Sequence, residues 1–475
     1  MTKILNDAFK FSTLVVAFSF LMPFSTSLAA SWDWGSEVRL TGRSNDNPTL
    51  RSETFLNGDP FDIQSAESLN ASVEFDLIRA TENTRLTLTP RVSQNYYPDD
   101  AFKDLENTNL YLSGNSQWIQ DRTNWSLGFR IEDVGLLSSE DISDIATGGS
   151  LFRADDTRSR FTINPGFSWA ISELDQFSLG ASLSKIDYSL DFTNRADQDL
   201  SSVSIAYQRI ISPKQTLGFF ALASSNESDR LLRETDPLLF ENETDGISFN
   251  LDYSLEINSD LRLSARVGRQ ESDTKSSGVI VAKDDPADVN NNLGGNCSSI
   301  VDIGNVPDPN DLFNPFDVFQ YNDCERTIQS TILEFDLKKN FQKSDLTLSL
   351  LRSVVPNSTG TPQERNQFKV KFERKITDFL RFDTSLIAYE QESINFQNVQ
   401  TKNEGIKGEI GIDWVISKNW AIGGQYIYRK RENGRSFDLD LPEGAEDPNI
   451  TEPLDTRDSN EFGFYVRYFI EKPEL

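Results

Sequence analysis

The sequence contains no histidine, and cysteine and methionine occur only twice each. Without an imidazole there is no Ser-His-Asp triad, no Asp-His dyad and no His-ligated metal, the arrangements on which most hydrolytic and acyl-transfer sites rest. Long apolar runs are missing too. Beyond residue 30 no stretch reaches the about eighteen apolar residues a membrane-crossing helix requires. Positive charge is in deficit, with 46 Lys and Arg against 74 Asp and Glu and a formal net charge of -28. That balance excludes a nucleic-acid-binding surface and a polybasic segment for docking on anionic lipid.

What is present does not fit a disordered acidic chain, because 33 Phe, 12 Tyr and 7 Trp carry a large apolar load. At the start, Lys3 and Lys10 precede an apolar run from Phe11 to Phe24 that is too short to span a bilayer, and small residues follow at Ser27 and Ala29. This pattern predicts a signal peptide over 1–29, with no cysteine after it to accept lipid, and a single domain over 30–475.

From about residue 34 onward, apolar and polar side chains alternate in repeated segments, the period-two signature of strands. After Asn124, for example, Trp125, Leu127, Phe129 and Ile131 share one face, while Ser126, Gly128, Arg130 and Glu132 share the other. The connections come in two kinds. Eight are tight turns: 81–83, 120–122, 172–175, 212–214, 258–260, 342–345, 377–378 and 417–419. The others are long and rich in Asp, Asn, Pro and Gly, covering 44–64, 135–156, 228–242, 273–325 and 432–456. Short turns opposite long loops imply an all-β, antiparallel up-and-down barrel of the Gram-negative outer membrane. Two strands per tight turn, plus one at each end, predict about eighteen strands, with sixteen as the alternative; poor alternation over 327–337 points to a bulge there. A β-propeller repeats at a similar period, but its blades hold four short strands rather than two long ones. Aromatic residues flank the turns, at Trp118, Trp125, Trp169, Phe177, Phe341, Phe379, Trp414 and Trp420, where an interfacial girdle belongs.

If the apolar set faces lipid, the other set lines the interior, and its charges sort by strand direction. Strands entering tight turns contribute Glu74, Asp76, Asp252, Glu334, Asp336, Glu373, Glu409 and Asp413; strands leaving them contribute Arg91, Arg130, Arg262, Arg266, Arg381 and Arg429. One reading is structural, with cross-strand ion pairs stiffening the wall. The other is functional, with facing rows of charge orienting polar solutes. Glu373 and Arg381 are placed at one height by their turn and are predicted to pair. Carboxylate neighbours such as Glu74 and Asp76 lack an apolar pocket to raise either pKa, so they do not read as an acid-base pair. Asp308 to Asp317 (DPNDLFNPFD) lacks the spacing and glycine of a calcium loop and reads as a solvated turn. Cys297 and Cys324 share one long connection, and export to an oxidising compartment predicts a disulfide between them. No cofactor is implied.

The C-terminal hairpin, WVISKNWAIGGQYIYRKREN from Trp414 to Asn433 followed by DSNEFGFYVRYFI from Asp458 to Ile470, and the early stretch Ser44-Asn45-Asp46-Asn47-Pro48 carry a resemblance. They resemble outer-membrane barrels that accompany bacterial exopolysaccharide and exosortase systems. The resemblance implies a passive conduit or wall component in export or surface presentation of a polysaccharide. A diffusion porin and a surface protein binding through its loops are the alternatives. Outer-membrane lipid, the barrel-assembly machinery and a polysaccharide or other polar solute are the partners implied. The oligomeric state is left open.

Overall fold

A computed structural model describes residues 31–47, 65–135, 157–189, 196–231, 239–282, 299–306, 316–356, 362–394, 399–437 and 455–470. The elements are β1 (Ser31–Asn45), β2 (Ala66–Ala80), β3 (Thr84–Tyr96), β4 (Asn107–Gln120), β5 (Thr123–Gly135), β6 (Thr157–Ala170), β7 (Asp175–Tyr188), β8 (Asp197–Ser212), β9 (Gln215–Leu231) and β10 (Leu239–Asn258). They continue with β11 (Leu261–Ala282), β12 (Ser299–Val306), β13 (Phe316–Asn340), β14 (Ser344–Pro356), β15 (Pro362–Lys375), β16 (Leu380–Ile394), β17 (Val399–Val415), β18 (Trp420–Phe437) and β19 (Asp455–Ile470). Each strand pairs antiparallel with its neighbours, and β1 pairs with both β2 and β19, so the sheet closes on itself. Eighteen strands make the wall. The short β12 joins the outer end of β13 rather than entering the wall. The predicted signal peptide lies outside the described residues.

All eight predicted tight turns connect consecutive wall strands. In the two-residue turn between β4 and β5, Asp121 takes φ 47, the left-handed region that Asp tolerates better than most residues and that such hairpins demand. The long connections, however, begin later than the sequence suggested. The stretch 273–325 is not all loop: residues 273–282 of β11 pair with residues 317–327 of β13. The bulge expected over 327–337 is absent as well. The register with β11 is continuous there, and the shift falls between Ser276 and Gly278, opposite Cys324.

The physical reason for the late strand ends is visible on β10. Its outward residues Ile247, Phe249 and Leu251 are more than half exposed, and a bilayer crossing uses about 9–11 residues. Yet β10 has 20 residues, and its outward positions continue as Asp245, Glu243 and Glu241. Past the bilayer both faces are polar, so hydrophobic alternation fades while the hydrogen-bond ladder persists. Trp118, Trp125, Trp169, Phe341, Phe379, Trp414 and Trp420 are exposed on the outer surface near the turns, as a girdle requires. Two of them pack across strands, Trp125 on Phe167 at 4.5 Å and Trp420 on Tyr468 at 4.8 Å between centroids. An apolar exterior with an aromatic girdle on a closed sheet is stable only with lipid around it, and the chain is an outer-membrane β-barrel.

The seam between first and last strands is latched at its outer end. Asp46 accepts hydrogen bonds from the Asn460 backbone N–H (2.6 Å) and side-chain amide (2.8 Å), Ser459 donates to Asn45 (2.8 Å), and Asn47 donates to the Asp458 carbonyl (2.8 Å). The asparagine-rich stretch after β1 therefore closes the barrel.

Candidate functional site: the inner wall

Alternation fixes which face each charge occupies. Register runs Glu74 opposite Arg91, Asp252 opposite Arg266, and Arg381 opposite Asp413, each on the face away from the exposed apolar set. By the same parity Asp76, Arg130, Arg262, Glu334, Asp336, Glu373, Glu409 and Arg429 lie on that same face.

The best-connected group spans β10, β11 and β13. Arg266 donates to both oxygens of Asp252 (2.6 and 3.2 Å) and to Glu334 (2.9 Å), with the Phe220 ring 5.1 Å below its guanidinium. One planar fork thus bonds two carboxylates, which leaves the trio one negative charge in excess, and ties three strands. Asp336, one inward position on, accepts from Ser349 of β14.

A second group lies beside the seam. Arg467 of β19 pairs with Asp413 of β17 and approaches Glu37 of β1 at 3.9 Å. To reach Asp413 it crosses β18, whose inner positions there are Ala421 and Gly423. A Cβ at Gly423 would lie 2.2 Å from the Tyr465 ring, so glycine is what lets that ring lie across the strand. The Tyr465 hydroxyl donates to Asp413 at 3.4 Å. Arg39 of β1 stacks on the Tyr465 ring at 4.0 Å and stands directly opposite Arg467 in the register. A recess of about 350 Å³ opens alongside, lined by Arg381, Asp383, Asp413, Tyr465 and Arg467 among others. Nearer the outer rim, Glu461 accepts from Arg429 (3.0 Å) and faces Arg43 (3.6 Å).

Two expectations need correction. Glu373 does not pair with Arg381. The turn between β15 and β16 sets Glu373 opposite Asp383 and Arg381 opposite Lys375, and Glu373 instead bonds Lys371 at 2.6 Å. Nor does charge sort cleanly by strand direction. β6 runs toward a tight turn yet presents Arg158 and Arg160 inward, where Arg158 and Arg130 flank the buried Glu132. Glu461, Arg467, Arg39 and Tyr465 were not singled out from sequence, although period-two parity assigns each of them to the inner face, and Glu132 was set on the polar face of its strand without a partner being named.

Inner-wall exposure changes along the barrel. Near the turns Arg262 and Lys371 are 66% and 50% exposed, whereas toward the outer rim Thr41, Asn109, Thr274 and Arg365 are at most 2% exposed. One described connection leans over this level. Tyr97 packs on Phe102 of the 3-10 turn Asp100–Leu105, and burial pushes its phenol pKa up, with Arg43 opposing and Glu461 adding to the shift. Cys324 is fully buried, while Cys297 lies outside the described residues. Among the described residues no cluster of Cys, Asp and Glu is arranged to hold a metal ion.

No family model matches the chain, and no curated protein matches it. Solved structures do. The ferric-catecholate import receptor Fiu from E. coli K12 in its closed form is 9% identical, with 92% of this chain and 82% of that chain covered at a TM-score of 0.44. Acinetobacter baumannii OccAB2 is 9% identical over 94% of this chain and 98% of that one, with a TM-score of 0.42. Pseudomonas aeruginosa OccK2, solved in complex with glucuronate, is 8% identical over 93% and 98%, with a TM-score of 0.39.

Proposed function

We propose that the protein is a passive conduit for small polar solutes across the outer membrane. The observation that carries this reading is the contrast between the two faces of one wall: apolar and aromatic outside, charged and exposed inside near the turns. A barrel of this strand number is wide enough to hold water. Bound water and cross-strand ion pairs satisfy a polar inner face without a solute, and a solute entering such a passage exchanges one set of hydrogen bonds for another. The burial of inner-face side chains toward the outer rim supports a constriction at that level. Passage of an extended polysaccharide, which the resemblance of the terminal hairpins implies, asks for a wider bore at that level; small-solute diffusion does not. The inward charges act in this reading as the wall's braces and as the field a solute meets. The Cys297–Cys324 bond belongs to the same proposal, as a tether of the connection between β11 and β13, and a mobility shift on reduction in a denaturing gel tests it.

Liposome swelling tests the conduit. Vesicles carrying the refolded protein are expected to swell in isosmotic glycine or arabinose and to swell more slowly as solute size increases. Vesicles that stay as tight as protein-free controls to the smallest solute would refute diffusion.

A further inference from the structure

The acid of this chain is not distributed evenly over the wall. Beyond the apolar band, the outer face stacks like charges across neighbouring strands: Asp199 stands opposite Glu227, Glu227 opposite Glu243, Asp197 opposite Asp229, and Asp229 opposite Glu241. On the described inner face the balance reverses, and arginine and lysine outnumber aspartate and glutamate. A protein with a net charge of -28 thus encloses a basic passage.

Among the described residues, four aromatic rings of the inner face are occupied. A neutral sugar is usually held by stacking on an open ring face. Here guanidinium groups cover the rings: Arg39 over Tyr465 (4.0 Å), Arg91 over Tyr111 (5.3 Å), Arg266 over Phe220 (5.1 Å) and Arg365 over Tyr389 (5.8 Å). A guanidinium laid on a ring keeps its N–H edge free for a carboxylate. Arg266 is already bonded to Asp252 and Glu334 and Arg365 is buried, so Arg39 and Arg91 are left among the four to offer donors to an anion.

Arg39 differs from Arg266 and Arg467 in its ion pairing. Arg266 and Arg467 are each matched by two carboxylates. Arg39 has no ion pair among the described residues, its Nε is buried without a hydrogen-bond partner, and the side chain opposite it across the seam is another arginine. Like charges directly opposite on a sheet oppose folding, and a passing anion taken by the terminal Nη groups of Arg39 would relieve that repulsion.

We infer that the lumen selects anions, and that Arg39, seated on Tyr465 opposite Arg467, is the station at which a small carboxylate is held in transit. The inference rests on the conduit reading above. Its test is electrical, in planar bilayers containing the refolded full chain. Under a KCl gradient the zero-current potential should take the sign set by chloride, with chloride favoured over potassium by about two-fold or more. Succinate on one side should block the KCl current, and glucose at equal concentration should not. Arg39→Gln should weaken succinate block by about ten-fold, the scale of one charge-assisted hydrogen bond, while Arg39→Lys should recover much of it. Open channels that prefer potassium would overturn anion selection and leave the conduit standing. Channels blocked by glucose as well as by succinate, or equally by succinate in wild type and Arg39→Gln, would overturn the station. Absence of any channel would overturn the conduit and this inference together. Should Arg39→Gln fail to fold, the wild-type potential and the succinate-glucose contrast still decide the selectivity.

Discussion

The wall formed by β10, β11 and β13 and the wall beside the seam are built on one plan, an arginine reaching two carboxylates on other strands, and they end in different states of charge. In the first, Arg266 takes Asp252 and Glu334, and the arginine is fully answered. In the second, Arg467 takes Asp413 and approaches Glu37, but Arg39 stands beside it unanswered. Part of the difference comes from the strand in between. In the first group, the middle strand, β11, carries the arginine itself. In the second, β18 presents Ala421 and Gly423, which lets side chains of β19 cross to β17 and brings the Tyr465 ring under Arg39. The same ion-pair construction leaves one carboxylate in excess on one side of the barrel, and on the other it is brought to balance by Arg39, which faces a like charge rather than an acid.

The largest way to break the comparison is to move an arginine to the wrong face. Phe249→Arg, on the lipid side of the brace wall, is expected to cost about 2–4 kcal/mol near the bilayer midplane, read as a lower urea midpoint for refolded protein in vesicles. Gly423→Val acts on the seam alone. It forces the Tyr465 ring off β18 and is expected to cost about 1–3 kcal/mol as an overpacking change in the same assay. Arg266→Ala leaves Asp252 and Glu334 without their shared cation in a half-hydrated site and should cost about 1–2 kcal/mol. Asp46→Ala opens the latch between β1 and β19 and should cost about 1 kcal/mol, seen as a lower temperature for the folded-to-unfolded gel shift. Arg39→Ala sharpens the contrast, because removing an unanswered like charge should change stability by no more than about 0.5 kcal/mol.

Strand number and the placement of the tight turns were legible in the sequence because the outer face is apolar wherever lipid touches it, and turn residues interrupt that alternation cleanly. The outer ends of the strands were not legible. At the outer end of β10, Glu241, Glu243 and Asp245 alternate with Asn242 and Thr244, so nothing in hydrophobicity distinguishes ladder from loop. The asparagine-rich stretch after β1 stood out by composition, but its bonds to Asp458, Ser459 and Asn460 join residues more than four hundred positions apart. The lumen charges were legible as a face and not as pairs. Parity assigns Arg381 inward without error, whereas its partner depends on the geometry of the turn, which sets Glu373 beside Lys371 rather than Arg381. Arg467 reaching Asp413 across an entire strand has no local signal at all, since it depends on what β18 lacks.

The most direct test of the central claim is the single-channel current of the refolded full chain in a planar bilayer with KCl on both sides. A water-filled conduit predicts discrete, stable openings, with a conductance that depends on the inward charges and falls when solute is added. A barrel that inserts, shows the folded gel mobility and carries no current above the bare bilayer would contradict it.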